Sequence, residues 1–243
     1  MAIILILAGL VFALPVNKGI NKAKDVSPVI DDEGNVIPQL QEDELTKIVF
    51  IRYAPKFAKD KPCNNDGICD ADEKGWCGDC NIKEEPPEEP TSTCYTFLSG
   101  AKPKWNWVED YYYNDNTLGA SSGTAVSTWE YVVTGDIFGI GYFSNSAPWG
   151  VYDYKNSISF GDYSDPNVIG VTAIWYQGKN IYEYDIMYDT DYFPNGGIDL
   201  DTVVLHELGH GAGLGDLYNS ECVDEVMFGY YRGEKTILRE GDI

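Results

Sequence analysis

The pattern of apolar and polar residues predicts four β-strands in this chain, at 47–53, 155–161, 168–176 and 180–188, of which the last alternates most clearly. Apolar residues at helical spacing predict a helix within 119–134, with Ser121 or Ser122 as its cap. A second helix is predicted at 198–211, directly after an Asn-Gly-Gly turn. This order of a helix, several strands and a late helix fits an α+β domain better than a doubly wound one.

The first 60 residues contain an apolar leader and a polar region. Residues 1–16 are almost wholly apolar, but this run is shorter than the roughly 20 residues of a membrane-spanning helix. It is typical of a signal peptide cleaved after Ala13, or of a retained membrane anchor, since no Lys or Arg precedes it. Both interpretations predict export. Residues 17–60 fit a pro-segment, a stalk or a small appended element.

Residues 61–82 hold four of the six cysteines, interleaved with acidic and amide side chains. An even cysteine count behind an export leader predicts disulfides. A zinc knuckle is the alternative, but only Cys77 and Cys80 have the paired C-x-x-C spacing. The stretch resembles small disulfide-plus-calcium modules of extracellular proteins, and a disulfide-stapled loop with solvated acids fits it equally well.

Residues 83–93 are acidic and rich in proline, which predicts an extended linker and a domain boundary. From Cys94 to residue 243 the composition is that of a packed domain. The net charge of −22 argues against nucleic acid as a partner.

The chemistry concentrates on the predicted helix at 198–211. Its His206 and His210 are the only two histidines of the chain, and their spacing of four residues places both imidazoles on one helical face. Two such imidazoles suit a tetrahedral zinc site that keeps an open position. Glu207 lies beside the first ligand, where it can act as a general base without binding the metal. Asp199 is placed to cap this helix.

A third zinc ligand must come from an acid or a cysteine, because no other histidine exists. Three glycines end the helix and allow the chain to turn back, so that Asp216 can reach the metal. The alternative is that Asp216 is only a turn carboxylate. The third ligand would then be Glu221 or Glu225.

The segment HELGHGAGLGD resembles the metzincin signature of zinc peptidases in its Asp-terminated form. It is similar to snapalysin-type and prokaryotic matrixin-like peptidases, and the resemblance covers about residues 94–243. It implies a mixed, twisted sheet with a long active-site helix. It also implies zinc on His206, His210 and Asp216, with Met227 in the methionine turn beneath the site.

The resemblance carries further expectations. Tyr230 or Tyr231 is expected to donate a hydrogen bond to the substrate or the oxyanion. An extended substrate is expected to pair with a sheet edge, at 168–176 or at 180–188. Structural calcium is expected on four carboxylates, which are those of Asp162, Asp165, Asp189 and Asp191. Members of the family continue past the position of Ile243 into a C-terminal helix, which is compatible with a truncated catalytic domain here.

Cys94 and Cys222 are expected to form a disulfide, because the other four cysteines lie in their own module. The predicted function is a secreted or surface-anchored, monomeric zinc endopeptidase that acts on proteins or peptides, with Glu207 as the base. The alternative is an extracellular surface or adhesion protein with a structural metal site, which would show four closed ligands.

Overall fold

The computed structural model describes residues 40–54, 94–193 and 197–243. The predicted leader, most of the region 17–60, the Cys-rich module and the acidic linker lie outside the described residues. No helix in the described ranges is long and apolar enough to cross a membrane.

The described chain contains a six-stranded sheet and two α-helices, with short 3₁₀ turns at Glu42–Glu44 and Ser220–Cys222. The strands and helices are, in chain order, β1 Thr46–Tyr53, β2 Glu109–Tyr113, α1 Asn116–Glu130, β3 Phe138–Phe143, β4 Asn156–Gly161, β5 Val168–Gln177, β6 Asn180–Asp189 and α2 Leu200–Gly211. This mixture of helices and strands agrees with the predicted α+β class at the level of secondary-structure content.

The sheet is mixed, with the strand order β1-β5-β6-β4-β2-β3. β6, β4, β2 and β3 pair in parallel, whereas β5 runs antiparallel to both β6 and β1. The turn between β5 and β6 contains Gly178 at a φ of +59°, a conformation that glycine adopts without steric cost. β5 and β6 are therefore each flanked on both sides, and the expectation that 168–176 or 180–188 forms an open sheet edge is wrong for both strands as they stand in this structure.

All four predicted strands are present, but β2 and β3 were not predicted. In β3 two glycines interrupt the apolar pattern, because a side chain at Gly141 would collide with the ring of Tyr111 on β2. The sequence pattern of β2 is a run of tyrosines without alternation. Tight packing between these two strands thus removed the signal on which strand prediction depends.

Helix α1 begins earlier than predicted and uses a different cap. The side chain of Asp115 accepts a hydrogen bond from the Thr117 amide at 2.7 Å. Ser121 and Ser122 lie inside the helix and are buried, so their prediction as caps is wrong. At the other end of α1 the Trp129 indole donates to the Leu205 carbonyl of α2 at 2.9 Å, which joins the two helices.

The expected disulfide between Cys94 and Cys222 is present, with 5.3 Å between the two Cα atoms. It links residues separated by 128 positions in sequence and therefore closes almost the whole domain 94–243 into one loop. Cys222 is fully buried in the core and lies just before the segment that passes beneath α2.

Candidate metal centre

Helix α2 places both histidines in the interior. The Asp199 carboxylate caps its first turn and accepts from the Thr202 amide at 2.8 Å, as predicted. Every residue from Thr202 to Gly211 is buried, including His206, Glu207 and His210. Three ionisable side chains on one buried helix are costly unless each has a polar or metal partner.

Asp216 completes a group of three ligand atoms with the two histidines. Its Oδ1 atom lies 3.2 Å from Nε2 of His206 and 3.6 Å from Nε2 of His210. Within the described ranges, this is the one group of three or more such side chains close enough to hold a metal ion. Glu221 and Glu225, the alternatives for the third ligand, do not belong to it.

The imidazoles of both histidines direct the lone pair of one ring nitrogen, Nε2, towards Asp216. Nδ1 of His206 lies 2.8 Å from the Val226 carbonyl, and Nδ1 of His210 lies 3.0 Å from the Leu214 carbonyl. A carbonyl oxygen only accepts, so the ring proton of each histidine resides on Nδ1. Each Nε2 atom is therefore an acceptor, as in most protein zinc sites.

The Nε2 atoms of His206 and His210 and the Oδ1 atom of Asp216 are therefore three hydrogen-bond acceptors that face one another with no donor between them. Burial, together with the positive charge of Arg52, lowers the pKa of His206 to about 3, so this ring is neutral. Oδ1 of Asp216 is buried and has no hydrogen-bond donor. Two nitrogen lone pairs and a carboxylate oxygen in this arrangement repel one another unless a cation lies between them. The set fits zinc in donor type and number.

Glu207 lies beside the group and is held from β5. Its Oε2 atom accepts a hydrogen bond from the Thr172 hydroxyl at 2.6 Å. Its Oε1 atom is buried without a hydrogen-bond partner. Burial raises the pKa of Glu207, whereas His210 and Arg52 lower it. Gly170 keeps room for this carboxylate, because a Cβ atom there would lie 3.2 Å from Oε1.

The segment after α2 turns back at Gly213, which has a φ of +108°. The amide of Leu214 donates to the Gly209 carbonyl at 3.0 Å and closes the end of the helix. This reversal carries Asp216 to the two histidines, as the glycine spacing predicted.

Met227 packs against α2 at Gly209, between the two histidines in sequence. Gly209, between the two histidines, contacts its sulfur so closely that a side chain at position 209 would collide with it. The buried Asp242 carboxylate accepts from the amides of Val226 and Met227 at 2.9 and 3.0 Å. The same turn supplies the carbonyl that orients His206, so Asp242 supports the site from a distance.

The tyrosines differ from the expectation. Tyr231 is buried, and its hydroxyl accepts from the Asp199 amide at 3.0 Å, at the start of α2 rather than at the metal ligands. Tyr230 packs edge-on against Tyr218. Tyr218, which sequence reasoning missed, donates from its hydroxyl to Oδ2 of Asp216 at 3.1 Å. Its only sequence signal was its position two residues after the third ligand.

Strand β1, on the N-terminal side of the described chain, also contacts the candidate metal centre. The ring of Phe50 stacks on the imidazole of His210, with 3.9 Å between centroids and 14° between planes. Arg52 is buried and donates from Nη1 to the Phe228 carbonyl at 3.3 Å. Sequence reasoning missed both residues, although an arginine within an apolar strand was a visible signal.

The four carboxylates expected to hold calcium do not form a ligand group in the described part of the chain. Asp189 accepts from the amides of Tyr163 and Asp191 instead, and thereby orders two loops. Asp165 caps its own turn through Asn167. Calcium binding at these residues stays a prediction.

No protein-family model matches the chain, and no curated protein matches it. The functional interpretation consequently rests on the geometry of the site and on the resemblance of the zinc segment.

Proposed function

We propose that the protein is a zinc-dependent endopeptidase of metzincin type. The observation that carries this proposal is the convergence of three acceptor atoms, from His206, His210 and Asp216, beside a buried carboxylate on the same helix. Zinc held by these three atoms would supply a Lewis acid for peptide hydrolysis and keep a coordination position open.

Glu207 has the position and the environment of a general base. Its unpaired Oε1 atom can accept a proton from the attacking water, while Thr172 fixes the other oxygen. A raised pKa brings a carboxylate closer to neutral pH, where it can take up and release the same proton. The carboxylate would then deliver that proton to the leaving amine of the cleaved peptide.

The surroundings of the site support the metzincin resemblance. Met227 packs against α2 at Gly209, the chain reverses at glycine directly after α2, and the sheet is mixed with β5 antiparallel to its neighbour β6. We place the protein outside the cell, either released or tethered through its leader.

A structural metal site in a surface protein is the second candidate function. Its supporting observation is that His206 and His210 are each only 1% exposed. A structural zinc ion, however, has four closed protein ligands. The described chain gathers three, and the carboxylate that stands next to them has an unpaired oxygen, which favours the catalytic interpretation.

Zinc content and hydrolysis of an unfolded protein test the proposal together. We expect one zinc per chain in the wild type and in Glu207→Gln, and loss of zinc in Asp216→Ala but not in Glu221→Ala or Glu225→Ala. Prolonged incubation with casein should give cleavage that a chelator abolishes and added zinc restores. Glu207→Gln should lower this activity by at least about 100-fold, whereas the exposed Glu240→Gln should retain it.

A protein that binds one zinc but whose cleavage is unchanged by Glu207→Gln would contradict the assignment of the base. Zinc retention in Asp216→Ala would contradict the ligand set.

A further inference from the structure

Strand β1 occupies the edge of the sheet that lies next to the candidate metal centre. It pairs antiparallel with β5 over its whole length, from Thr46 opposite Tyr176 to Tyr53 opposite Val168. Without β1, strand β5 would be the edge strand, with unpaired backbone donors and acceptors. Such an edge binds an extended peptide by β-addition.

β1 presents two side chains to the centre, as an extended peptide would. Phe50 lies opposite Thr172, whose hydroxyl holds Glu207, and the Phe50 ring covers one face of His210. Arg52 lies opposite Gly170 and carries its positive charge close to Glu207 and Asp216. Alternate residues of one strand thus place an aromatic ring on His210 and a positive charge near Glu207.

The centre is closed to solvent while these contacts are present. His206 and His210 are 1% exposed and Glu207 is fully buried. A cleft of about 420 Å³ lies alongside, and its lining includes residues 49–51 of β1 together with Asp216 and Tyr218. While β1 holds this position, it forms one wall of the cleft that Asp216 also lines, and an extended peptide cannot pair with the same edge of β5.

The attachment of β1 is separate from the covalent framework of the domain. The disulfide that closes the domain begins at Cys94, after β1 in the chain. Beyond its pairing with β5, β1 is held by the Arg52 bond to Phe228, by the Ala54 amide bond to Asn167 and by the Lys47 ammonium bond to Gly150. Departure of the strand would therefore leave the disulfide and both helices in place.

We propose that β1 is an intramolecular ligand of the peptide-binding edge of β5, which it occupies in the manner of a substrate and so keeps the enzyme latent. This inference rests on the proposed peptidase function. The surface that β1 covers takes an extended peptide antiparallel to β5, with an aromatic side chain against His210 and a basic side chain two residues later.

Three variants of the full chain test the proposal. Phe50→Ala removes the ring that stacks on His210 and Arg52→Ala removes the charge near Glu207, whereas Thr46→Ala shortens an exposed side chain at the start of the same strand, outside the lining of the cleft. Two quantities are measured for each protein loaded with zinc. One is the rate at which a chelator in excess removes the metal, and the other is the rate of casein hydrolysis.

We expect chelator removal to be at least about tenfold faster in Phe50→Ala and Arg52→Ala, because each loses a buried contact that holds the strand. Thr46→Ala should match the wild type. Hydrolysis should rise in the same two variants. An added peptide with the sequence of residues 46–53 should then slow both processes, and a scrambled peptide should not.

The two measurements separate the proposals. Equal chelator rates in all four proteins would overturn latency through β1, and so would hydrolysis by the wild type as fast as by the variants. Faster metal removal without any hydrolysis would support closure by β1 and overturn the peptidase function. If Arg52→Ala does not fold, as judged by thermal unfolding, Phe50→Ala and the added peptide decide the question.

Discussion

At the scale of single residues, the arrangement of protons decides what the centre can bind. Both histidines donate from Nδ1 to backbone carbonyls, so their Nε2 atoms and the Asp216 carboxylate meet as acceptors. The second carboxylate oxygen of Asp216 accepts from Tyr218. This hydrogen bond fixes which oxygen faces the histidines, which is the usual role of a group behind a metal ligand.

Tyr218→Phe should therefore weaken zinc binding without unfolding the protein. We expect the affinity for zinc to fall by about tenfold, because partners behind metal ligands typically contribute 10- to 100-fold. Competition with a chromophoric chelator measures this change. The 90% exposed Tyr131 provides the control, since Tyr131→Phe should leave the affinity unaltered. An unchanged affinity in Tyr218→Phe would show that Asp216 is positioned by the backbone alone.

At the scale of secondary structure, α2 packs tightly against the turn that contains Met227. Gly209 touches the sulfur of Met227 and the indole of Trp129, so a methyl group at this position has no space. Glycine in a helix costs about 1 kcal/mol relative to alanine. Glycine is nevertheless needed at this position, because α1, α2 and the turn that contains Met227 are in close contact there.

Gly209→Ala should lower the free energy of unfolding by roughly 1 to 3 kcal/mol, since overpacking outweighs the gain in helix propensity. Gly123 on α1 is a matched control, because a Cβ atom there meets nothing within 4 Å. Gly123→Ala should raise stability by roughly 0.5 to 1 kcal/mol. Urea unfolding measures both, and a stabilised Gly209→Ala would contradict the described contact.

At the scale of the whole molecule, buried carboxylates link stability to pH. Burial raises the pKa of Asp185 to about 8, although its oxygens accept hydrogen bonds from the amides of Gly150, Val151 and Ser157. The unfolded chain has an ordinary aspartate pKa near 4. Between these values the folded protein binds more protons than the unfolded one, so stability present at low pH is lost as pH rises towards 8.

We therefore expect the free energy of unfolding to fall between about pH 5 and pH 8, with Asp185 contributing up to roughly 1 kcal/mol per pH unit. Asp185→Asn removes that titration and should flatten the slope, whatever its effect on absolute stability. The exposed Asp136→Asn should keep the wild-type slope. Denaturant unfolding at several pH values measures it, and equal slopes in all three proteins would exclude Asp185 as the cause.

Sequence patterns predicted the parts of the fold and the site that depend on local order. The strand at 180–188 alternates clearly. His206, Glu207 and His210 share one helix, so their proximity follows from helical geometry alone. Contacts between distant segments gave no such signal. The pairing of β1 with β5, and the approach of Phe50 and Arg52 to the centre, depend on tertiary packing, as does the loss of alternation in β3.

The occurrence of only two histidines has a consequence for spectroscopy. Because His206 and His210 are the whole histidine content of the chain and both lie at the centre, nitrogen-15 labelling of histidine alone gives signals from that centre and from nowhere else. The two rings share one tautomer, and Phe50 covers only His210. Metal entry would alter the Nε2 signals of both rings, whereas departure of β1 would remove a ring-current shift from one, so a single spectrum distinguishes the two events.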